Sequence, residues 1–454
     1  MTPPTDSPRL VDPRDNRLGT GSHEAADRVE TALWRMMSFF DSPLADLDAA
    51  RAADPGWALP LVMRAGFLLS LTEPTHNAEA VRLLDEAEPL VAGAPVRERT
   101  HFEAQRAVAD GRWRHACSLW DELLLEHPRD ALALQWAQLW DYIRGDAIGL
   151  RQRPARALPE WSEADPLFPY VLGLYAFGLE ENNLYPQAED AGRRAVAGDA
   201  RVPWAVHAVA HVMEMQGRFE DGTAWLRLHQ PGWAEDGNGF AAHLWWHMGL
   251  FRLEALDVPG VQRLIDAHLS GPALQTLLQR LDAAALLWRM HLLGVDVGAR
   301  FVELLRDWQP NDEDAGHSAF NDLHVLVALL GADELMRAES WVARCAARAM
   351  APEDARRSNH ATAREVGLPL MRGLLAFAHG DADAAVSTLH AARPQAARLG
   401  GSHAQRDLID QTLLAASARA SHRHVGRALL NERRLAKPLT PLTRHWAEQL
   451  GVAL

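Results

Sequence analysis

Gly217-Arg218-Phe219-Glu220-Asp221-Gly222 is the phrase that decides the fold. It sets a turn-forming residue first, an aromatic residue two places later and a small residue three places after that. Close copies are Gly111-Arg-Trp113-Arg-His-Ala116 and Asn183-Leu-Tyr185-Pro-Gln-Ala188. Looser copies start at Ala255, Gly294 and Gly380, with a degenerate one at Gly331. From Asn183 to Gly331 the steps are 34, 38, 39 and 37 residues. The 72 residues between Gly111 and Asn183 leave room for one more turn in 141–159. A glycine or asparagine relaxes a helix end into a turn, and the small residue lets the next helix pack closely. Recurrence at one period is the mark of a repeat array.

The segments between the phrases are rich in Ala, Leu, Arg and Glu, with apolar residues three and four apart. That spacing predicts amphipathic helices and almost no strand. Pro128 lies twelve residues after Ala116, where the tetratricopeptide pattern ends its second helix. The expected fold is therefore all-α: a tetratricopeptide-like helical-hairpin solenoid, a right-handed superhelix curled around a central groove. It should occupy 22–454 as one array, behind a mobile N-terminal tail over 1–21, partly ordered from Asp15. The tail has three prolines before position 10 and no apolar core of a signal peptide.

Several function classes are excluded by composition. Sixty acids against 46 bases give a formal charge of −14, so no basic surface is at hand for nucleic acid or an anionic membrane. No apolar run reaches the roughly 18 residues that a membrane span needs. The two cysteines, Cys117 and Cys345, lie far apart in helical stretches and read as reduced thiols of a cytoplasmic protein. No phosphate-cradling glycine loop, dinucleotide fingerprint or Gly-x-Ser-x-Gly elbow is present.

Longer phrases carry a resemblance. Tyr170-Val-Leu-Gly-Leu-Tyr-Ala-Phe-Gly-Leu-Glu-Glu181 and Trp204-Ala-Val-His-Ala-Val-Ala-His-Val-Met-Glu-Met-Gln-Gly217 are two of them. Phe320-Asn-Asp-Leu-His324, Gly400-Gly-Ser-His-Ala-Gln-Arg-Asp407, Arg427-Ala-Leu-Leu-Asn-Glu-Arg433 and Lys437-Pro-Leu-Thr-Pro-Leu-Thr443 are the others. Together they resemble the tetratricopeptide repeat protein 38 family, from about Asp15 to the end. The resemblance implies a repeat fold and brings no settled activity with it.

The turn register then selects candidate site residues. Positions three, six and ten before each turn share one stripe of the first helix. Read that way, His207, His211 and Glu214 line a groove with Glu180, Trp245, Trp288 and Asn321, and His324 stands at its wall. Such a His/Trp-lined concave groove would bind a peptide or a small polar molecule. His207 and His211 are four apart, and His243 and His247 repeat the spacing one hairpin later. Two facing pairs could hold a transition metal, zinc or iron. The alternative function is then a metal-dependent or His/Glu acid–base enzyme in the same groove. The 21 histidines of the chain make such a site worth seeking. The His-Glu-x-x-His pattern of zinc proteases is absent.

Overall fold

Eight residues with left-handed backbone mark the joints between paired helices: Gly111, Gly145, Asn183, Gly217, Leu256, Gly294, Asp333 and Gly380, with φ between 55° and 79°. The computed structural model describes residues 10–438 and 440–453. At most of these joints the next amide reaches back to the carbonyl five residues earlier. Examples are Leu184 N to Leu179 O at 3.0 Å, Arg218 N to Met213 O at 2.8 Å, and Asp257 N to Arg252 O at 2.8 Å. This is the Schellman closure, which satisfies helix-terminal carbonyls and requires the left-handed residue. Gly145 supplies the extra turn expected in 141–159, between helices Ala131–Ile143 and Ala147–Ala157.

Two turns differ from the sequence register. The left-handed residue is Leu256, not Ala255, and Asp333, not Gly331. Gly331 is still helical and answers to packing: a Cβ there would lie 2.4 Å from the Phe301 ring. Small size and turn conformation are separate demands, and here two different residues meet them.

All regular elements among the described residues are helices, with only isolated bridges at Val11–Arg17 and Phe40–Asn238. None is long and apolar enough to cross a membrane. The small residue of the repeat phrase is buried where the paired helices meet, as at Ala116, Ala188, Ala338 and Ala385. Gly222 shows the limit of the approach, since a Cβ would meet the Phe251 ring at 2.1 Å. Ala188 is fully buried. Ala188→Leu is therefore expected to cost about 1–3 kcal/mol through overpacking. An unchanged melting temperature would contradict that placement.

The chain divides into two compact units, where the sequence reading has one array over 22–454. Among the described residues the first comprises 10–141, 147–205 and 235–239. Its helices run from His23–Ser38 to Tyr185–Gly198, with tryptophans packed in pairs, Trp113 on Trp140 at 5.2 Å and Trp120 on Trp136 at 5.8 Å. Residues 1–9 of the expected tail lie outside the described residues. From Leu10 the chain is packed, earlier than the expected Asp15: Leu18 N bonds Leu10 O at 2.8 Å, and Arg14, buried, pairs with Glu30.

The second unit comprises 142–146, 206–234 and 240–454. Its first helices, entering with Pro203–Met215 and followed by Ala241–Glu254, Leu277–Leu292 and Ala319–Gly331, form an inner layer. Their partners Phe219–Trp233, Val258–His268, Arg300–Trp308 and Leu335–Met350 lie outside it. The inner helices are buried nearly all round: in Ala241–Glu254, His243, Leu244, Trp246, His247 and Met248 are all inaccessible. A helix buried on every face belongs inside a core rather than beside an open groove. The cause is a later helix. His403–Arg419 packs back on Leu277–Leu292, with Trp288 Nε1 donating to Thr412 Oγ1 at 2.9 Å and Arg289 Nη2 to Ala404 O at 2.7 Å.

Candidate metal centre

Helical geometry puts His207 and His211 on one face, and His243 and His247 on one face of the next inner helix. In the second unit these faces meet. One ring nitrogen from each of the four lies within 4.8 Å of those of the other three. His207 Nε2 and His243 Nε2 are 3.0 Å apart. Ring centroids are 4.3 Å apart for His207 and His211, and 4.5 Å for His211 and His247. All four side chains are buried, at 0–4% exposure.

Carboxylates face two of the rings, and one of them is hydrogen-bonded. Asp282, on Leu277–Leu292, stands 2.7 Å from His243 Nδ1, and its other oxygen is 3.3 Å from Gln405 Nε2. Glu214 Oε2 stands farther off, 3.4 Å from His247 Nδ1, near the ring but without a hydrogen bond to it. A carboxylate on Nδ1 fixes the proton there and turns the Nε2 lone pair outward, the arrangement found behind metal-bound imidazoles. Neither ring nitrogen of His247 has a hydrogen-bond partner among the described residues. Leaving a buried nitrogen unsatisfied costs about 1–3 kcal/mol, which a bound cation would offset.

The electrostatics keep His207, His211 and His247 neutral. Burial, and then the neighbouring histidines, lower the pKa of His207, His211 and His247 well below the usual imidazole value. Burial raises that of Glu214, against the pull of Lys437. Neutral imidazoles need lose no proton to bind a metal. Aromatic rings close the centre: Trp246 stacks on His243 at 5.3 Å, and Phe240 lies 5.1 Å from His207. Arg289, buried, stands over Trp246 at 5.7 Å.

Other expected groove residues are placed elsewhere. Trp245 stacks flat on His268 at 3.8 Å and against Trp233 at 5.0 Å, toward the outer helices. The misplaced Ala255 turn explains this, because ten residues before Leu256 is Trp246. Trp288 and His291 border a separate cavity of about 170 Å³ with Phe377 and Arg419. Asn321 is half-buried in the first turn of Ala319–Gly331, its amide on Ser318 Oγ at 3.5 Å. His324 is buried with Nδ1 on Phe320 O at 2.8 Å, and burial pushes its pKa down to about 4. Glu180 is buried at the end of Phe168–Glu180, in the first unit. In the Gly400–Asp407 segment, Ser402 and Gln405 form a reciprocal cap on His403–Arg419.

Asp282, Arg289, Gln405 and Lys437 were missed by sequence reasoning. Asp282 and Arg289 sit on a helix already assigned to the inner layer, so a charged residue there was a usable signal. Nothing local marks Gln405 or Lys437, which reach the site from about 120 and 220 residues downstream of Asp282 and Glu214 respectively. No family model matches the chain.

Proposed function

We propose that the second unit is a metal-binding domain that holds one divalent first-row transition ion on His207, His211, His243 and His247. The observation that carries this reading is the convergence of four buried imidazoles whose ring nitrogens lie within 4.8 Å of one another. Metal–imidazole bonds of about 2.0–2.1 Å put neighbouring ligand nitrogens roughly 3.0–3.4 Å apart. The 3.0 Å separation of His207 Nε2 and His243 Nε2 fits that edge. An all-imidazole donor set suits zinc, iron, copper or nickel and disfavours magnesium or calcium. A bound ion would supply Lewis-acid or one-electron chemistry, and Asp282 and Glu214 would hold His243 and His247 in the ligating tautomer.

Burial weighs against the expected groove binding of a peptide or small polar molecule. His207, His211, Glu214, Trp288 and His324 are each 5% exposed or less, and a peptide needs lining it can touch. We further propose membership of the tetratricopeptide repeat protein 38 family, on the phrases quoted from Tyr170 to Thr443. The test of the metal reading is elemental analysis of purified protein, followed by cobalt(II) titration of chelator-treated protein. About one ion per chain and ligand-field bands in the visible are expected. No metal and no bands would overturn the reading.

A further inference from the structure

Behind the histidine centre lies a buried ionic chain contributed by the C-terminal part of the second unit. Lys437, at the end of helix His424–Ala436, places its ammonium 3.6 Å from Glu214 Oε1 and 3.8 Å from Glu254 Oε2. Lys437 and Glu214 are each 5% exposed and Glu254 is 7% exposed, so all three are sealed from solvent. Glu254 has other partners. Arg433 Nη2 spans its two oxygens at 2.6 and 2.8 Å, and the Thr440 hydroxyl donates to it. Glu214 is differently placed: its Oε1 faces Lys437, and its Oε2 faces His247 Nδ1 at 3.4 Å.

We propose that Lys437 is a positioning residue for the histidine centre, holding the Glu214 carboxylate against His247 and thereby setting how tightly the centre binds its ion. The inference rests on the metal reading above. Three observations support it. Arg433 holds Glu254 at 2.6 and 2.8 Å, closer than Lys437 at 3.8 Å, and Lys437 lies nearer to Glu214, at 3.6 Å. Buried ion pairs return little net stability against well-packed apolar residues, so stability alone is a weak reason for a sealed lysine. The lysine is also held at close quarters, since a Cβ on Gly217, at the turn of the His207 hairpin, would stand 3.0 Å from Lys437 Cα. The ammonium therefore sits where it can aim the carboxylate, and the carboxylate in turn orients the imidazole.

The test is the cobalt(II) affinity of the full chain, read by competition with a chromophoric chelator, in four proteins: wild type, Lys437→Gln, Glu214→Gln and the double variant. Loss of an outer hydrogen-bonding partner of a ligand typically weakens metal binding about 10–100-fold, and that loss is expected for each single variant. Because Lys437 acts through Glu214, the double variant should bind no more weakly than Glu214→Gln alone. Lys437→Arg, which keeps the charge, should recover most of the affinity. Wild-type affinity in Lys437→Gln, or two losses that add in full, would overturn the proposal. If Lys437→Gln does not fold, the double variant, which leaves no lone buried charge, decides: affinity equal to that of Glu214→Gln supports the proposal, and wild-type affinity overturns it. A wild type that binds no cobalt would instead remove the metal reading itself.

Discussion

His207→Ala is expected to abolish stoichiometric metal uptake and, with it, the rise in melting temperature that added metal gives the wild type. His207 occupies the middle of the cluster, with ring centroids 4.3 Å from His211 and 4.9 Å from both His243 and His247. Removing it takes one ligand from every coordination that uses the four rings. A ligand that binds only the folded state stabilises it by about 4 kcal/mol at a thousand-fold excess over Kd. For a unit of this size that is roughly 8–16 °C in melting temperature. The substitution also opens a cavity at a site 2% exposed, with a metal-independent cost of about 2–4 kcal/mol. The two effects separate when melting is compared with and without metal. His291→Ala serves as the control, because His291 is exposed and borders the other cavity. A His207→Ala protein that kept both its metal content and its metal-dependent melting shift would rule out this centre.

The metal-free protein should lose stability steeply as the pH falls below about 6.5. His207, His211 and His247 have folded-state pKa values well below the ordinary imidazole value of about 6.5, through burial first and mutual repulsion second. The unfolded chain therefore takes up protons at a pH where the folded chain does not. Their contribution is fully present above pH 6.5 and is lost progressively below it. Each such histidine contributes a slope of up to about 1.4 kcal/mol per pH unit, so three give up to about 4 kcal/mol per unit. Chemical denaturation midpoints of chelator-treated protein between pH 7.5 and 5 measure it. Metal should flatten the slope, because a ligating nitrogen has no lone pair left to protonate. A flat stability profile over that range without metal would mean that the imidazoles are solvated.

Much of the fold was legible because the repeat is local. A helix end, a left-handed residue and a buried small residue lie within a few positions of one another, so one phrase such as Asn183–Ala188 reports all three. The errors arose where the phrase splits its duties. Ala255 and Gly331 are small, but Leu256 and Asp333 take the left-handed backbone. A register slip of one residue turns a helix by about 100°, enough to exchange Trp246 for Trp245.

The candidate site was legible in its pairs and not in its assembly. The four-residue spacing of His207 with His211, and of His243 with His247, places each pair on one helix face whatever surrounds it. That both faces meet depends on how neighbouring helices cross, and His243 and His247 lay off the stripe that the turn register assigned to the groove. Whether the stripe faced solvent or protein was decided by tertiary contacts. Helix His403–Arg419 covers the inner layer, and Lys437 brings a charge to Glu214 from more than 200 residues away. Sequence periodicity records which side of a helix is apolar or polar. It does not record which distant segment will cover that side, because that choice is made by packing among all the helices at once. Sequence alone thus determined the helical hairpins and the two histidine pairs. Tertiary structure alone decided that the pairs form one buried cluster, and which charges stand behind it.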